Sequence, residues 1–240
     1  VYAGGQNDTI LFEADGIWGA GYAAANEGSP GVAGSDQQVL LEGKNRFTDY
    51  VNGGDDADTV QLTEGSDALF LHDALSLFNL SVSLANDARQ MPSIAREANI
   101  ETIQAGGGDD IVDLTSADYA IGGVAVEGGA GNDVLWGNAG ADRLNGGDGN
   151  DILFGGAGND SLNGGAGADL FQYVKNGGGD DVIEDFQPGV DKIQLIGAAD
   201  VSEVQVELVG DHVTLGWGTE TIVLTGINST AGASDWFQLG

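Results

Sequence analysis

A nine-residue phase locks residues 128–172. From Gly128 the chain reads GGAGNDVLW, GNAGADRLN, GGDGNDILF, GGAGNDSLN and GGAGADLFQ. Gly opens every copy (Gly128, Gly137, Gly146, Gly155, Gly164) and returns at position 4. Asp holds position 6 (Asp133, Asp142, Asp151, Asp160, Asp169), and a large apolar residue holds position 8 (Leu135, Leu144, Leu153, Leu162, Phe171). A flexible Gly-rich linker has no reason to keep three kinds of residue in register over successive copies. A fixed short period instead marks a stack of equivalent structural units.

Looser copies flank the block. Asp8, Asp58, Asp110 and Asp181 take the aspartate position in the stretches 3–11, 53–61, 105–113 and 176–184. The stretch YAIGGVAVE at 119–127 keeps the spacing but puts Val124 there. That turn is expected to lack a full set of metal ligands.

The spacing predicts an all-β fold, a parallel β-roll in which each nonapeptide is a six-residue turn followed by a three-residue strand. Two nonapeptides complete one coil, and coils stack. Glycines permit positive φ and close backbone approach. Turn carbonyls and the position-6 carboxylates of stacked turns then form oxygen cages, the donor set that suits calcium. The candidate metal residues are Gly128, Asn132, Asp133, Gly137, Asp142, Gly146, Asp148, Asn150, Asp151, Gly155, Asn159, Asp160, Gly164 and Asp169. Asp8, Asp58, Asp109, Asp110, Asp180 and Asp181 join them from the looser copies. Pairing turns across coils gives roughly six to ten bound calcium ions.

Position 8 points inward, because strand side chains alternate. Positions 7 and 9 then face outward. Alternate copies fall on the same sheet, so one outer face carries Val134, Trp136, Ile152, Phe154, Leu170 and Gln172. The other carries Arg143, Asn145, Ser161 and Asn163. The apolar face needs covering, and residues 62–103 hold the apolar surface to do it.

Charge supports the cation reading. The chain has 38 acidic against 7 basic residues, a formal net charge of −31. A compact chain of this charge repels itself unless something positive is bound, so the metal-free chain is expected to be largely disordered. Nucleic acid is not an expected partner, since there is no basic patch to neutralise phosphates. No apolar run reaches membrane-spanning length, so membrane insertion is not expected either. There is no Cys, which removes disulfides, thiolate zinc sites and a Cys nucleophile. His72 and His212 are the only histidines, and neither HExxH nor GxSxG occurs. No catalytic residue is assigned, and the chain is read as a non-enzyme.

Outside the repeats, 68–84 and 100–104 read as strands and 86–99 as a loop. From Asp181 onward VIEDF, KIQLI, VQVEL, HVTLGW and TIVLTGI alternate as strands, with turns at Pro188-Gly189, Gly210-Asp211 and Gly218. The expected organisation is an irregular β-rich region over 1–104, the roll over 105–184, and an antiparallel β cap with a possible secretion-signal region over 185–240. The start Val1-Tyr2-Ala3 has no signal-peptide pattern and reads as a cut from a longer protein.

The nonapeptides resemble the hemolysin-type repeats of RTX proteins, consensus GGxGxDxUx. The resemblance implies export through type I secretion machinery and folding outside the cell, in a secreted, extracellular or cell-surface setting. The stretch WGAGYAAANEGSPGVAGSDQQVLLEGKNRFTD at 18–49, with DALFLHD and IETIQAGGGDDIVDLTSADY, resembles the peptide-binding module of large RTX adhesins. That family captures the C-terminal end of a partner protein, with calcium helping to hold the terminal carboxylate. The resemblance thus implies a peptide or protein C-terminus on a host or neighbouring cell surface as partner, in attachment or biofilm formation. Lys44 and Arg46 flank Asn45 and would share one side of a strand, a pair able to meet a carboxylate or to pair with nearby acids. Trp18 and Tyr22 could line an apolar pocket or belong to a core. Asp49, with Asp55 and Asp56, could hold one more calcium or stay solvated. Two rival readings remain: the calcium β-roll and secretion module of an RTX exoenzyme, and a surface-layer or matrix protein.

Overall fold

The computed structural model describes residues 2–5, 9–11, 51–55, 57–62, 64–70, 97–98, 100–115 and 121–240. The strands preceding the repeats are β1 (Tyr2–Gly5), β2 (Thr9–Leu11), β3 (Val51–Asp55), β4 (Thr59–Gln61), β5 (Ala68–Phe70), β6 (Glu97–Ala98), β7 (Thr102–Gly107) and β8 (Ile111–Asp113). The repeats form β9 (Ala125–Ala130), β10 (Val134–Trp136), β11 (Arg143–Asp148), β12 (Ile152–Phe154), β13 (Ser161–Ala166) and β14 (Leu170–Val174). After them come β15 (Gly179–Ile183), β16 (Lys192–Ile196), β17 (Gln205–Val209), β18 (His212–Trp217), β19 (Glu220–Leu224) and β20 (Phe237–Leu239). Helix is confined, among the described residues, to two 3₁₀ turns at Val201–Glu203 and Ala233–Trp236.

Successive nonapeptides alternate between two sheets, as two repeats per coil require. A ten-stranded sheet runs β17-β18-β19-β15-β13-β11-β9-β7-β4-β2, and a seven-stranded sheet runs β20-β16-β14-β12-β10-β8-β5. A three-stranded sheet, β1-β3-β6, accompanies them. The repeat strands pair in parallel with like positions opposed, Leu135 to Leu153 and Leu144 to Leu162. The chain is therefore an all-β parallel solenoid. Its position-8 residues Leu135, Leu144, Leu153, Leu162 and Phe171 are all 0% exposed and form the spine of the core.

The turns close because glycine is where the backbones meet. Gly147 has φ 109° and Gly149 has φ 143°. A Cβ on either would overlap the carbonyl oxygen of Gly129 or Gly131 in the preceding coil. An L side chain fails there twice, in conformation and in space.

The outer faces differ as positions 7 and 9 dictate. On the seven-stranded sheet Val134, Trp136, Phe154 and Gln172 are buried, and Ile152 and Leu170 half-buried. Segment 71–96, most of what the sequence assigns to covering this face, lies outside the described residues. The ten-stranded sheet is polar outside. There Asn145 Nδ2 donates to Glu127 Oε2 at 2.6 Å, and Arg143 lies 3.4 Å from Glu184.

The ladder runs beyond both boundaries expected from the sequence. β4 and β2 continue the ten-stranded sheet below residue 105, and β5 continues the other. Asp58 and Asp110 keep the aspartate–x–apolar triplet that starts a strand, so the phase survives where the Gly pattern thins. Past residue 185 only β17–β18 and β18–β19 are antiparallel. β16 and β20 extend the parallel ladder, and β19 pairs in parallel with β15. Asp191-Lys192-Ile193 repeats the same triplet, which explains how the tail re-enters the stack.

Candidate metal centre

The position-6 aspartates form two rows, one ahead of each sheet's strands. In the first row each backbone N–H donates to Oδ1 of the aspartate one coil on. Asp67 donates to Asp110 (2.6 Å), Asp110 to Asp133 (2.8 Å), Asp133 to Asp151 (2.8 Å), Asp151 to Asp169 (3.0 Å) and Asp169 to Asp191 (3.0 Å). In the second row Val124 donates to Asp142 (2.8 Å), Asp142 to Asp160 (2.8 Å) and Asp160 to Asp181 (2.9 Å). Val124 thus fills the aspartate position without a carboxylate. One coil earlier Glu101 stands in that position, accepting from the Asp58 N–H at 2.7 Å.

One oxygen of each carboxylate is spent in this way. The other, Oδ2, has no hydrogen-bond partner in Asp110, Asp133, Asp151, Asp160 and Asp169, although all five side chains are buried. Asp142 differs, because Asn138, standing where the other four repeats have Gly, donates its backbone N–H to Asp142 Oδ2 at 2.8 Å.

The orphaned oxygens face the opening glycines. A Cβ placed on Gly128 would lie 2.5 Å from both Asp133 Oδ2 and the carbonyl of Gly146 in the next coil. The space beside Gly146 is lined likewise by Asp151 Oδ2 and the Gly164 carbonyl, and that beside Gly137 by Asp142 Oδ2 and the Gly155 carbonyl. Oδ2 of Asp160 and of Asp169 face Gly155 and Gly164. The cradles beside Gly128, Gly137 and Gly146 therefore each offer a carboxylate oxygen and a main-chain carbonyl from the next coil. No group of three His, Cys, Asp or Glu side chains able to hold a metal occurs among the described residues. The remaining donors must be carbonyls, a hard all-oxygen set that fits calcium.

The electrostatics point the same way. Burial, reinforced by neighbouring carboxylates, pushes Asp133, Asp160 and Asp169 up to about 6, Asp151 and Asp181 to about 7, and Asp110 to about 9. Buried like charges are costly to ionise without a counter-charge. A divalent cation in each cradle would supply it, held by Oδ2 and the opposing carbonyls.

Other expected ligands occupy a different place. Asn132 and Asn150 lie on the exposed rim, where Oδ1 of Asn132 accepts from the Asn150 N–H (2.9 Å) and Oδ1 of Asn150 from the Ala168 N–H (2.8 Å). Asn159 Oδ1 accepts from the Asp180 N–H, and Asp109 Oδ1 from the Asn132 N–H. These side chains stitch coils together outside the buried cradles, because position 5 points away from position 6. Asp109, Asp148 and Asp180 are exposed. Asp58 is buried in the second row. Asp8, Trp18, Tyr22, Lys44, Asn45, Arg46, Asp49 and Asp56 lie outside the described residues.

Sequence reasoning missed Asp67, Glu101, Asp185, Asp191 and Glu220. Asp67 and Asp191 carried the aspartate–x–apolar triplet as a signal, while Glu101 extends the row only through an acid one methylene longer. Asp185 accepts from the Gly164 and Gly165 N–H groups (2.9 and 2.7 Å) and so closes the last repeat turn.

Stacked turns with paired carboxylate and carbonyl oxygens define a calcium-binding parallel β-roll. The sequence model of the RTX calcium-binding nonapeptide repeat matches in four copies, at residues 45–71, 99–123, 126–153 and 145–171. The chain carries RTX calcium-binding nonapeptide repeats. Among solved structures it is similar to a subunit of the mannuronan C5-epimerase of Azotobacter vinelandii, at 24% identity. That match covers 57% of this chain and 78% of that one, with a TM-score of 0.29. It is also similar to an extracellular lipase of Serratia marcescens, at 13% identity over 77% of this chain and 40% of that one, with a TM-score of 0.30. No curated protein matches.

Proposed function

We propose that the chain is a calcium-dependent ligand-binding module of a secreted bacterial RTX adhesin, recognising the C-terminal carboxylate of a peptide or protein during surface attachment or biofilm formation. One observation carries this reading. A regular coil closes in 18 residues, but Ala68 meets its partner Ile111 after 43 and Thr9 meets Thr59 after 50. Two long excursions from the 18-residue period therefore fall in the N-terminal half, and sequence inserted into a rigid scaffold is where binding residues concentrate. The first excursion contains Trp18, Tyr22, Lys44, Asn45, Arg46 and Asp49, in a chain with only 7 basic residues.

The roll's part is to make binding conditional on calcium. Extracellular calcium modules have dissociation constants of roughly 10⁻⁴–10⁻³ M, so the cradles would stay empty in a cytosol and fill outside the cell. RTX repeats occur in secreted proteins. No helix among the described residues is long and apolar enough to cross a membrane. The chain binds and does not catalyse.

The test is capture of peptides with free or amidated C-termini by the calcium-loaded chain. The free carboxylate should win by about tenfold or more, the scale of one charge-assisted pairing, and the double variant K44A/R46A should erase the preference. Equal capture of both would reject carboxylate recognition. No capture by a calcium-folded chain would favour the secretion module of an exoenzyme, and calcium-driven lattice formation a surface-layer protein.

A further inference from the structure

One repeat turn departs from the rest. Position 2 of the nonapeptide is Gly129, Gly147, Gly156 and Gly165 in four copies, and Asn138 in the second. The four glycines have φ of 107°, 109°, 106° and 97°. A Cβ disfavours that region, and Asn138 does not enter it. Among the described residues Asn176 is the one non-Gly residue with positive φ. The backbone of the turn from Gly137 to Asp142 therefore takes another course.

That course turns an amide into the cradle. The Asn138 N–H donates to Asp142 Oδ2 at 2.8 Å, whereas the same oxygen has no partner in Asp133, Asp151, Asp160 and Asp169. A planar trans peptide directs its C=O opposite to its N–H, so the Gly137 carbonyl points away from Asp142 Oδ2. In place of an orphaned oxygen and open space, this cradle holds an occupied oxygen and the positive end of an N–H dipole.

The Asn138 side chain, 6% exposed, fixes the arrangement. Its Oδ1 accepts from the N–H groups of Ala139 (2.6 Å) and Gly140 (3.0 Å), and its Nδ2 lies 3.5 Å from Asp142 Oδ1. The Val124 N–H reaches that Oδ1 at 2.8 Å. A buried carboxylate with N–H donors on both oxygens has its charge compensated without a cation.

Neighbouring turns add no free acid here. Val124 takes the aspartate position one coil earlier. A Cβ on Gly123 would overlap the Ala141 carbonyl, so main chain fills the gap between these two turns. The far end of the same row is hydrogen-bonded too. The β15–β19 register sets Ile222 opposite Asp181, and Glu220, opposite Gly179, accepts the Gly178 N–H through Oε1.

We propose that the turn from Gly137 to Asp142 takes no calcium: Asn138 closes its cradle with a main-chain N–H, and hydrogen bonds alone bridge the second acid row there. Asn138 is the positioning residue of this closed turn. The inference departs from the reading of the repeats as calcium-binding at this turn and rests on that reading for the other cradles. The two rows are then loaded unequally. The first has an orphaned Oδ2 at each of Asp110, Asp133, Asp151 and Asp169, and the second has none from Val124 through Asp142. One flank of the roll thus carries a seam whose hydrogen bonds are complete before any ion arrives.

Native mass spectrometry and calorimetric titration of the full chain count the calcium ions and rank their affinities. Asp151→Asn, the control, should lose one ion or bind it about tenfold or more weakly. Asp142→Asn should keep every ion at the parent's affinity. Asn138→Gly restores glycine at position 2 and should add one ion to the parent's count. A lost or weakened ion in Asp142→Asn, or an unchanged count in Asn138→Gly, overturns the closed turn, and the repeat reading still stands if Asp151→Asn shows its loss. If the parent binds no calcium, both fall. Should Asp142→Asn not fold, the count in Asn138→Gly decides alone.

Discussion

The backbone N–H of Asp133 donates to Oδ1 of Asp151 across 2.8 Å, while Oδ2 of Asp151 points toward Gly146 with no donor. One carboxylate thus does two separable jobs: it fastens the preceding coil, and it offers an oxygen to a cation. Asp151→Asn can retain the first and weakens the second. The calcium concentration at half-folding, followed by circular dichroism, should rise about tenfold or more, since a direct ligand matters at least as much as the groups that support a metal site's ligands.

Asn150→Ala removes only rim hydrogen bonds, the one its Oδ1 accepts from the Ala168 N–H and the one its Nδ2 donates to Asn132 Oδ1. Their loss should cost about 0.5–1.5 kcal/mol each and leave the number of bound ions unchanged. A calcium titration of the two variants side by side separates the rim from the cradle.

Acidity should partly replace calcium. Asp133, Asp160 and Asp169 are raised to about 6, and Asp151 and Asp181 to about 7, so the calcium-free fold binds more protons than the unfolded chain above about pH 4. Stability from these groups is complete below their unfolded values and drains away as pH rises through 6 to 7. Chelator-treated protein should therefore gain structure between pH 7 and pH 5. Calcium affinity should fall over the same interval, because ion and proton compete. Calorimetry in buffers of different ionisation enthalpy would record proton release on calcium binding.

Two glycine substitutions should part company. Gly147→Ala drives a Cβ into the Gly129 carbonyl, which is main chain and cannot swing aside. Gly189 has φ 87° but open space around it, so Gly189→Ala carries only conformational strain of about 1–2 kcal/mol. Calcium-induced folding should be lost or grossly shifted in the first and nearly normal in the second.

Leu153 is 0% exposed at the centre of the spine, and Leu153→Ala should cost about 2–5 kcal/mol. Leu208, 50% exposed on the edge strand β17, should tolerate Leu208→Ser within about 0.5 kcal/mol. Thermal melts at fixed calcium distinguish them.

The repeat stack was legible because three constraints recur in one phase: close backbone contact at Gly147, charge at Asp151, burial at Leu153. Val124 was legible for the same reason, since a fixed period makes a substitution visible. The phase alone could not show that Asn150 faces the rim while its neighbour Asp151 faces the cradle. That depends on which way each side chain leaves the turn, and adjacent polar residues look alike in sequence. Asp191 was hidden by a turn of irregular length, with 22 residues separating it from Asp169. Glu220 was invisible because its place is set by the pairing of β19 with β15, a contact across 41 residues that no local pattern encodes.

The main-chain donors of all five repeat aspartates look the same way, toward the following coil. At the far end of the first row, the Asp191 N–H turns instead to the carbonyl of Gln187 in its own turn, 2.9 Å away. The stack therefore has a polarity. For these aspartate amides, trimming coils from the N-terminal side leaves every remaining N–H its carboxylate, whereas trimming from the opposite side strips a carboxylate from a buried N–H at each cut. A finished C-terminal coil is a template with its sockets already facing the next segment to arrive.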